Sequence, residues 1–436
     1  DMRRHSDTLR GAQRRRKRGS RGENNRTSFL RSEGVVFPSF SERGQTGENA
    51  RANAVSRRAL SPVKIKNIVA TADMRRHSDT LRGAHATTKT RFTGRKQNKQ
   101  SEFCCLPVVL RKRFHMSSIS YLTDHYDGQI AKINAFGAPL NFIFITDEHN
   151  RINEFGNPIN AVKSMQYILD RCPGISFVVT GGDHGNDYWN DTDVLRNSQI
   201  ELMQELYRLS VPVYACVGNH DDGLGNMKDH GWDTKKCILP DEMHSICMKH
   251  NPTNENYYYI DDDRNGYRYV FLNTSDIPYL TDKNGQYPLG WRLEVSDRQA
   301  VWLDDEALET DKKVILFSHA PLYNPAIFGT EGMPVAVKPY DDLLGGQRVR
   351  YIVNKHTNIV AQFAGHVHFD NLIYENGVLS VTTLCAMYQQ WSPNCPERVT
   401  GEYTETAFDV VSIKDNVVKL TRFGAGDDRC GMLLRV

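Results

Sequence analysis

The sequence predicts an α/β fold with one polar site beyond the carboxyl ends of its strands. Two observations carry this. Five strand-like apolar runs each end in residues able to ligate a metal, and strand-like and helix-like periods alternate from about Leu140 onward. Sheets of this class bind ligands just past the carboxyl ends of their strands, so five such ends in series point to one loop-built site.

The runs are Phe142–Ile145 into Asp147-Glu148-His149, and Phe177–Val179 into Gly182-Asp183. Val213–Val217 leads into Gly218-Asn219-His220-Asp221, Val314–Phe317 into His319, and Ile359–Phe363 into Gly365-His366-Val367-His368. Between them a helix fits Ala161–Leu169 and stops at Cys172-Pro173-Gly174, a strong breaker. A longer helix fits about Val194–Leu209, with Ile200, Met203, Leu206 and Leu209 on its apolar face. Tyr257–Ile260 and Tyr267–Asn273 read as a hairpin turning at Arg264-Asn265-Gly266. Ser296 can cap a helix through about Leu308, with Val301, Leu303 and Leu308 inward. Leu372–Tyr374, Val378–Leu384, Ala407–Ile413 and Val417–Arg422 read as closing strands. Gly223–Asn254 and Asp276–Val295 break the rhythm as loop-like inserts expected to overhang the site.

The chain has 436 residues and a formal net charge of +3, which describes neither of its parts. Residues 1–115 carry 28 Lys and Arg against 9 Asp and Glu; residues 116–436 carry 27 against 43. The sequence therefore divides into a basic leader, 1–115, and an ordered domain, 116–436. The leader repeats DMRRHSDTLRGA at Asp1–Ala12 and Asp73–Ala84. Two copies without an apolar face cannot stack as a solenoid, and the segment lacks the apolar surface to offset its ordering entropy. Three readings stand: translated sequence upstream of a start at Met116, a disordered tail, or an arm that binds nucleic acid or directs nuclear import. Nucleic acid is expected as a partner only through this leader.

Nine cysteines without CxxC spacing suit a reducing, cytoplasmic setting rather than a disulfide framework. No run reaches the roughly 18 apolar residues of a membrane-spanning helix, so no membrane partner is expected. The stretch after Met116 lacks a basic region followed by an apolar one, so no secretory signal is read there.

The strand-end residues fit a centre of two divalent ions about 3.5–4 Å apart, which can hold both the attacking and the leaving oxygen of a phosphoryl displacement. Such a centre needs a bridging carboxylate between the cations, and neutral imidazoles and carboxamides to fill the shells. Asp147, His149, Asp183, Asn219, His319, His366 and His368 supply that set. Asp147 and His149 can share one metal only if the backbone bends between them, and so can His366 and His368. Gly182, Gly218 and Gly365 each precede a ligand, which suits close backbone approach. Mixed nitrogen and oxygen donors favour Mn, Fe or Zn over Ca.

In this order the set DxH, GD, GNH[D/E], a lone His and GHxH resembles the calcineurin-like metallophosphoesterase superfamily, over about residues 140–425. The resemblance implies two packed mixed β-sheets with helices outside both, a four-layer α/β/β/α sandwich. It implies that Asp147, His149 and His368 hold one metal, that Asn219, His319 and His366 hold the second, and that Asp183 bridges. It implies hydrolysis of phosphate mono- or diesters by in-line attack of a metal-bound hydroxide, with His220 stabilising or protonating the leaving oxygen. Asp221 is expected behind these ligands. Many relatives place an Asp three residues after the bridging Asp to orient the catalytic His; here that position is Asn186, and either Asn186 serves or Asp187 substitutes. The Asp-Arg-Gly of protein Ser/Thr phosphatases and the ligating Tyr of purple acid phosphatases are absent, which leaves a likeness to the bacterial cyclic-nucleotide phosphodiesterase-like branch.

His184 reads equally as a substrate contact or a solvated side chain. Tyr188, Trp189, Tyr323, Tyr388 and Trp391 lie near motif loops and could stack on a base or aryl group, or simply pack. His230, His244, His250 and His356 read as ordinary polar positions. The expected substrate is a small phosphate ester. The alternatives are a nuclease, which would bind through phosphate contacts weakened by salt, and a non-catalytic binding module with the same fold.

Overall fold

The structure, a computed structural model, describes residues 120–435 apart from 151–157, 186, 188–190, 225–233, 289–291, 323–343 and 387–395. The leader at 1–115 lies outside the described residues.

Two six-stranded sheets form the domain. The first holds β1 (Leu140–Ile145), β2 (Ile175–Thr180), β3 (Val213–Ala215), β10 (Ala407–Lys414), β11 (Val417–Gly424) and β12 (Arg429–Met432), ordered β12-β11-β10-β1-β2-β3. The second holds β4 (Tyr258–Asp262), β5 (Tyr267–Leu272), β6 (Lys313–Ser318), β7 (Ile359–Ala364), β8 (Asn371–Glu375) and β9 (Val378–Thr382), ordered β4-β5-β6-β7-β9-β8. Both are mixed. β1, β2 and β3 run parallel, as do β5, β6, β7 and β9, with antiparallel strands at the flanks.

Most residues of the parallel strands are buried on both faces, and for that reason they read as nearly continuous apolar runs, interrupted by the buried polar residues Asn141, Arg268 and Gln362. Their two-residue period sorts the side chains. Tyr269, Phe271, Ile315, Phe317 and Phe363 turn toward the first sheet, whereas Val270, Leu272, Val314 and Leu316 join a second core with Val349, Ile352 and Val353. Between the sheets Phe142 meets Phe317 and Phe363 edge-on at 5.5 and 5.4 Å, and Phe177 meets Tyr269 at 4.8 Å. This aromatic layer fixes how the two sets of strand ends face one another.

The helices are α1 (Ser120–Phe136), α2 (Pro158–Leu169), α3 (Thr192–Leu206), α4 (Pro240–Cys247), α5 (Asp297–Trp302) and α6 (Gly346–Lys355). Ser296 caps α5 by accepting from Gln299 N, and a π turn at Leu303–Ala307 follows. The hairpin of β4 and β5 closes at Gly266, with φ of +74°. Asn376-Gly377, at φ of +50° and +81°, turns β8 into β9.

Several expectations are corrected. α3 ends at Leu206 and turns Leu195, Gln199, Leu202 and Met203 inward, leaving Ile200 half-buried. Val301 is 48% exposed while Leu303 is buried; two residues on a helix differ by about 200°, so both cannot face the core. The stretch Gly223–Asn254 holds α4, with Pro240 in its first turn and Met243 and Cys247 buried four apart. α1, α6 and β12 were not legible. Among the described residues no helix is long and apolar enough to cross a membrane.

Candidate metal centre

Five of the strand-end residues adopt backbone that side chains rarely take. φ is +53° at Asp147, +39° at His149, +60° at Asp183, +69° at His366 and +58° at His368. Non-glycine residues there are strained, and such strain persists only where the surroundings impose it. Here it supplies the bend that lets residues two apart face one point. The Val367 N–H bonds the Gly365 carbonyl at 2.8 Å, closing a three-residue turn on His366.

The loops lock together through main chain. Asp147 N bonds Gly182 O at 3.0 Å, His149 N bonds Asp183 O at 2.8 Å, and Gly365 N bonds His319 O at 2.9 Å. A Cβ on Gly218 would fall on the Asp183 carboxylate, and one on Gly365 on Thr146 and Asp147. The glycines permit an approach no other residue allows.

Seven side chains converge. Asp147, His149, Asp183 and His368 present donor atoms within 4.8 Å of one another, and Asp183, His319 and His366 form a second such group. Asp183 belongs to both. Its Oδ2 lies 3.6 Å from His149 Nε2 and 3.1 Å from His319 Nε2. Asn219 Oδ1 stands 3.1 Å from His319 Nε2, and Asn219 Nδ2 is buried without a partner.

The donor set fits divalent cations. His319 Nδ1–H donates to Gly181 O at 2.9 Å, which turns Nε2 toward the cluster. Pairs of imidazole nitrogens approach to 3.4 Å (His149 and His368) and 3.3 Å (His366 and His319), as ligands of shared cations do. Burial, opposed in part by nearby carboxylates, pulls His149 down to about 4 and His366 down to about 3, so both rings are neutral and able to ligate. Burial disfavours charge on Asp147 as well, yet His368 and His319 outweigh it and hold its carboxyl at about 2. His319 goes the other way: burial is overcome by Asp183 and Asp147, which push it up to about 9.

His220 stands at the edge of the cluster, with 15% of its side chain accessible. Its backbone N–H donates to Asp183 Oδ1 at 2.9 Å, and its Nδ1 lies 2.7 Å from Asp187 Oδ2. Burial opposes the imidazolium, but Asp187 and Asp183 push His220 up to about 10. Asp187 thus pairs with the ring; Asn186 lies outside the described residues, as do Tyr188, Trp189, Tyr323, Tyr388 and Trp391. Asp221 lies behind the ligands, accepting from Gly218 N at 2.8 Å, Asp183 N at 3.1 Å and His184 N at 2.7 Å. The solvated reading of His184 is overturned: it is fully buried, 3.0 Å from Asp221 Oδ2. His244, His250 and His356 bond Thr253 O, Val213 O and Asp304 respectively, away from the cluster.

Other contributors gave no sequence signal. Gln199 on α3 donates to Asp221 O at 2.8 Å. Asp370, two residues past His368, bonds Arg422 at 2.6 Å, and Arg422 is also 2.9 Å from Asp409. This network ties the GHxH loop to β10 and β11. A cavity of about 720 Å³ lies beside it, lined among others by Asp370, Tyr403 and Arg429.

The family model of calcineurin-like phosphoesterases matches residues 140–370. The sequence matches none of the curated proteins. Among solved structures the chain is similar to a dimetal phosphatase from Danio rerio, at 14% identity and TM-score 0.46, covering 68% of this chain and 99% of that one. It is similar to GAP50, the anchor in the inner membrane complex of Plasmodium, at 13% identity and TM-score 0.41, covering 69% and 90%. It is also similar to the sulfate thiohydrolase SoxB of Thermus thermophilus, at 10% identity and TM-score 0.36, covering 68% and 57%.

Proposed function

Because the chain belongs to the calcineurin-like phosphoesterase family, we propose that it is a two-metal hydrolase of small phosphate esters, mono- or diesters. The observation that carries the reading is Asp183, whose carboxylate is common to two donor groups, buried throughout except for a half-buried His366. A carboxylate between two cations offsets their repulsion, and a single-metal site has no need of one. Asp147, His149, Asp183 and His368 would hold one ion; Asp183, Asn219, His319 and His366 the other. Bound there, two divalent ions would activate water and stabilise charge developing on the phosphoryl oxygens. Mn, Fe and Zn suit these donors.

The chain's own residues do the rest. His220 holds a proton at the cluster's edge and would deliver it to the leaving oxygen. Asp187 fixes the ring by accepting from Nδ1–H, which assigns the delivered proton to Nε2. The Asp183 carboxylate aligns the same loop through His220 N. We place the enzyme in the cyclic-nucleotide phosphodiesterase-like branch on its sequence departures, and in a reducing cytoplasm on its cysteine usage.

The test uses metal-stripped full-length protein and follows hydrolysis of bis-p-nitrophenyl phosphate and p-nitrophenyl phosphate with Mn, Fe, Zn, Mg or no metal. Turnover that requires metal and disappears in Asp183→Asn supports the reading, and the ratio of the two rates separates diester from monoester preference. Folded protein that turns over neither ester with any metal would leave a binding module in its place.

A further inference from the structure

Under the metal cluster lies a polar layer that the proposed reaction does not use. Glu148, His184 and Asp221 follow β1, β2 and β3 in turn, and their exposures are 0%, 0% and 1%. One oxygen, Asp221 Oδ2, accepts from Gly218 N at 2.8 Å, from Asp183 N at 3.1 Å and from the His184 ring at 3.0 Å. The backbones leading to Asn219 and carrying Asp183 both hang on that atom. Residue 184 also holds the first loop, since its carbonyl accepts from Asn150 N at 2.9 Å.

We propose that His184 is a positioning residue: its Nδ1–H holds the Asp221 carboxylate against the two backbones, so that three ligand-bearing loops meet at one distance. The inference rests on the metal-centre reading above. Its warrant is that the layer is poorly suited to stability alone. His184 Nε2 and Glu148 Oε2 are both buried without partners, and unpaired polar atoms in a core are costly. An apolar ring in the place of His184 would remove one such atom but would also withdraw a donor from Asp221. Outer residues of this kind set metal affinity without touching the metal.

Zinc affinity of the full chain, read by competition with a chromophoric chelator, together with the absorption spectrum of the cobalt-loaded protein, tests this on His184→Leu, His184→Asn and His184→Gln. Asn places its amide nitrogen where Nδ1 stands; Gln places it near Nε2. His184→Leu is expected to bind zinc about 10–100-fold more weakly with an altered cobalt spectrum, and His184→Asn to stay within about threefold of the unsubstituted chain. If His184→Leu does not fold, Gln against Asn decides, with Gln the weaker binder. A merely structural role would lower the thermal midpoint but leave zinc affinity and the cobalt spectrum unchanged, and that result overturns the proposal. Failure of the unsubstituted chain to bind zinc or cobalt would overturn the metal-centre reading itself, and this inference with it.

Discussion

His220 Nδ1 stands 2.7 Å from Asp187 Oδ2, and the two belong to loops after different strands. The pair fixes the ring's orientation and opposes loss of its proton. His220→Ala is expected to lower kcat/KM for an alkyl phosphate ester by about 10²–10⁴-fold, the usual span of general acid catalysis. p-Nitrophenyl phosphate, whose leaving group needs no proton, should lose far less. Asp187→Asn should fall between His220→Ala and the unsubstituted enzyme on the alkyl ester. Equal losses on both esters would remove His220 from the acid role.

Metal loading should release protons. With its pKa at about 9, the His319 ring is charged at pH 7 without metal, and Nε2 must be neutral to ligate. Affinity for zinc should therefore rise with pH, by about tenfold per unit up to about pH 9 for one such proton. Calorimetry in buffers of different ionisation enthalpy counts the protons.

Gly218→Ala should disable the centre, because its Cβ would fall on the Asp183 carboxylate. The cost in stability should be about 1–3 kcal/mol, as for other overpacked sites, while zinc affinity and turnover fall much further. Urea midpoints and chelator competition on one preparation separate the two effects.

Asp222 tests pH linkage at a group that is not itself a metal ligand. It is buried, accepts from Leu224 N at 2.7 Å and from Tyr279 OH at 3.2 Å, and burial raises it from 3.8 to about 7. Between those values the folded state holds a proton that the unfolded chain has lost, so this group makes stability fall as pH rises. Asp222→Asn removes that contribution. Its urea midpoint should drop less between pH 5 and pH 8 than that of the unsubstituted protein.

Arg422 is fully buried and serves both Asp370 and Asp409. Arg422→Met should destabilise the fold by about 3–5 kcal/mol, since it leaves buried carboxylates without that partner. Zinc affinity measured on the folded fraction shows whether the GHxH loop shifts as well.

The sequence determined the strands and the chemistry offered at their ends. A strand covered on both faces is mostly apolar along its length, so β1, β2, β3, β6 and β7 were visible locally despite a buried Asn141 in β1 and Gln362 in β7, and the polar residues closing each run were visible with them. The four-layer arrangement is implied by the resemblance, and the two sheets with their flanking helices have it. Periodicity misplaced Val301 and Ile200 because a few apolar residues fit more than one helical face; packing chooses the face. Short or weakly patterned elements such as β12 and α6 had no local signature to find.

Only the tertiary structure decided which residues share the site. Asp147 and His366 are 219 positions apart, yet His366 N bonds the Asp147 carboxylate; such a meeting depends on strand order and register, which no local window contains. The same holds for Asp187 facing His220. His184 makes the difference plain. In the sequence it is one more polar residue after a glycine-aspartate pair, but the fold buries it against Asp221, where it lies 3.0 Å from the oxygen that holds two ligand loops. Identity and spacing record what a side chain can do, and only packing records what stands next to it.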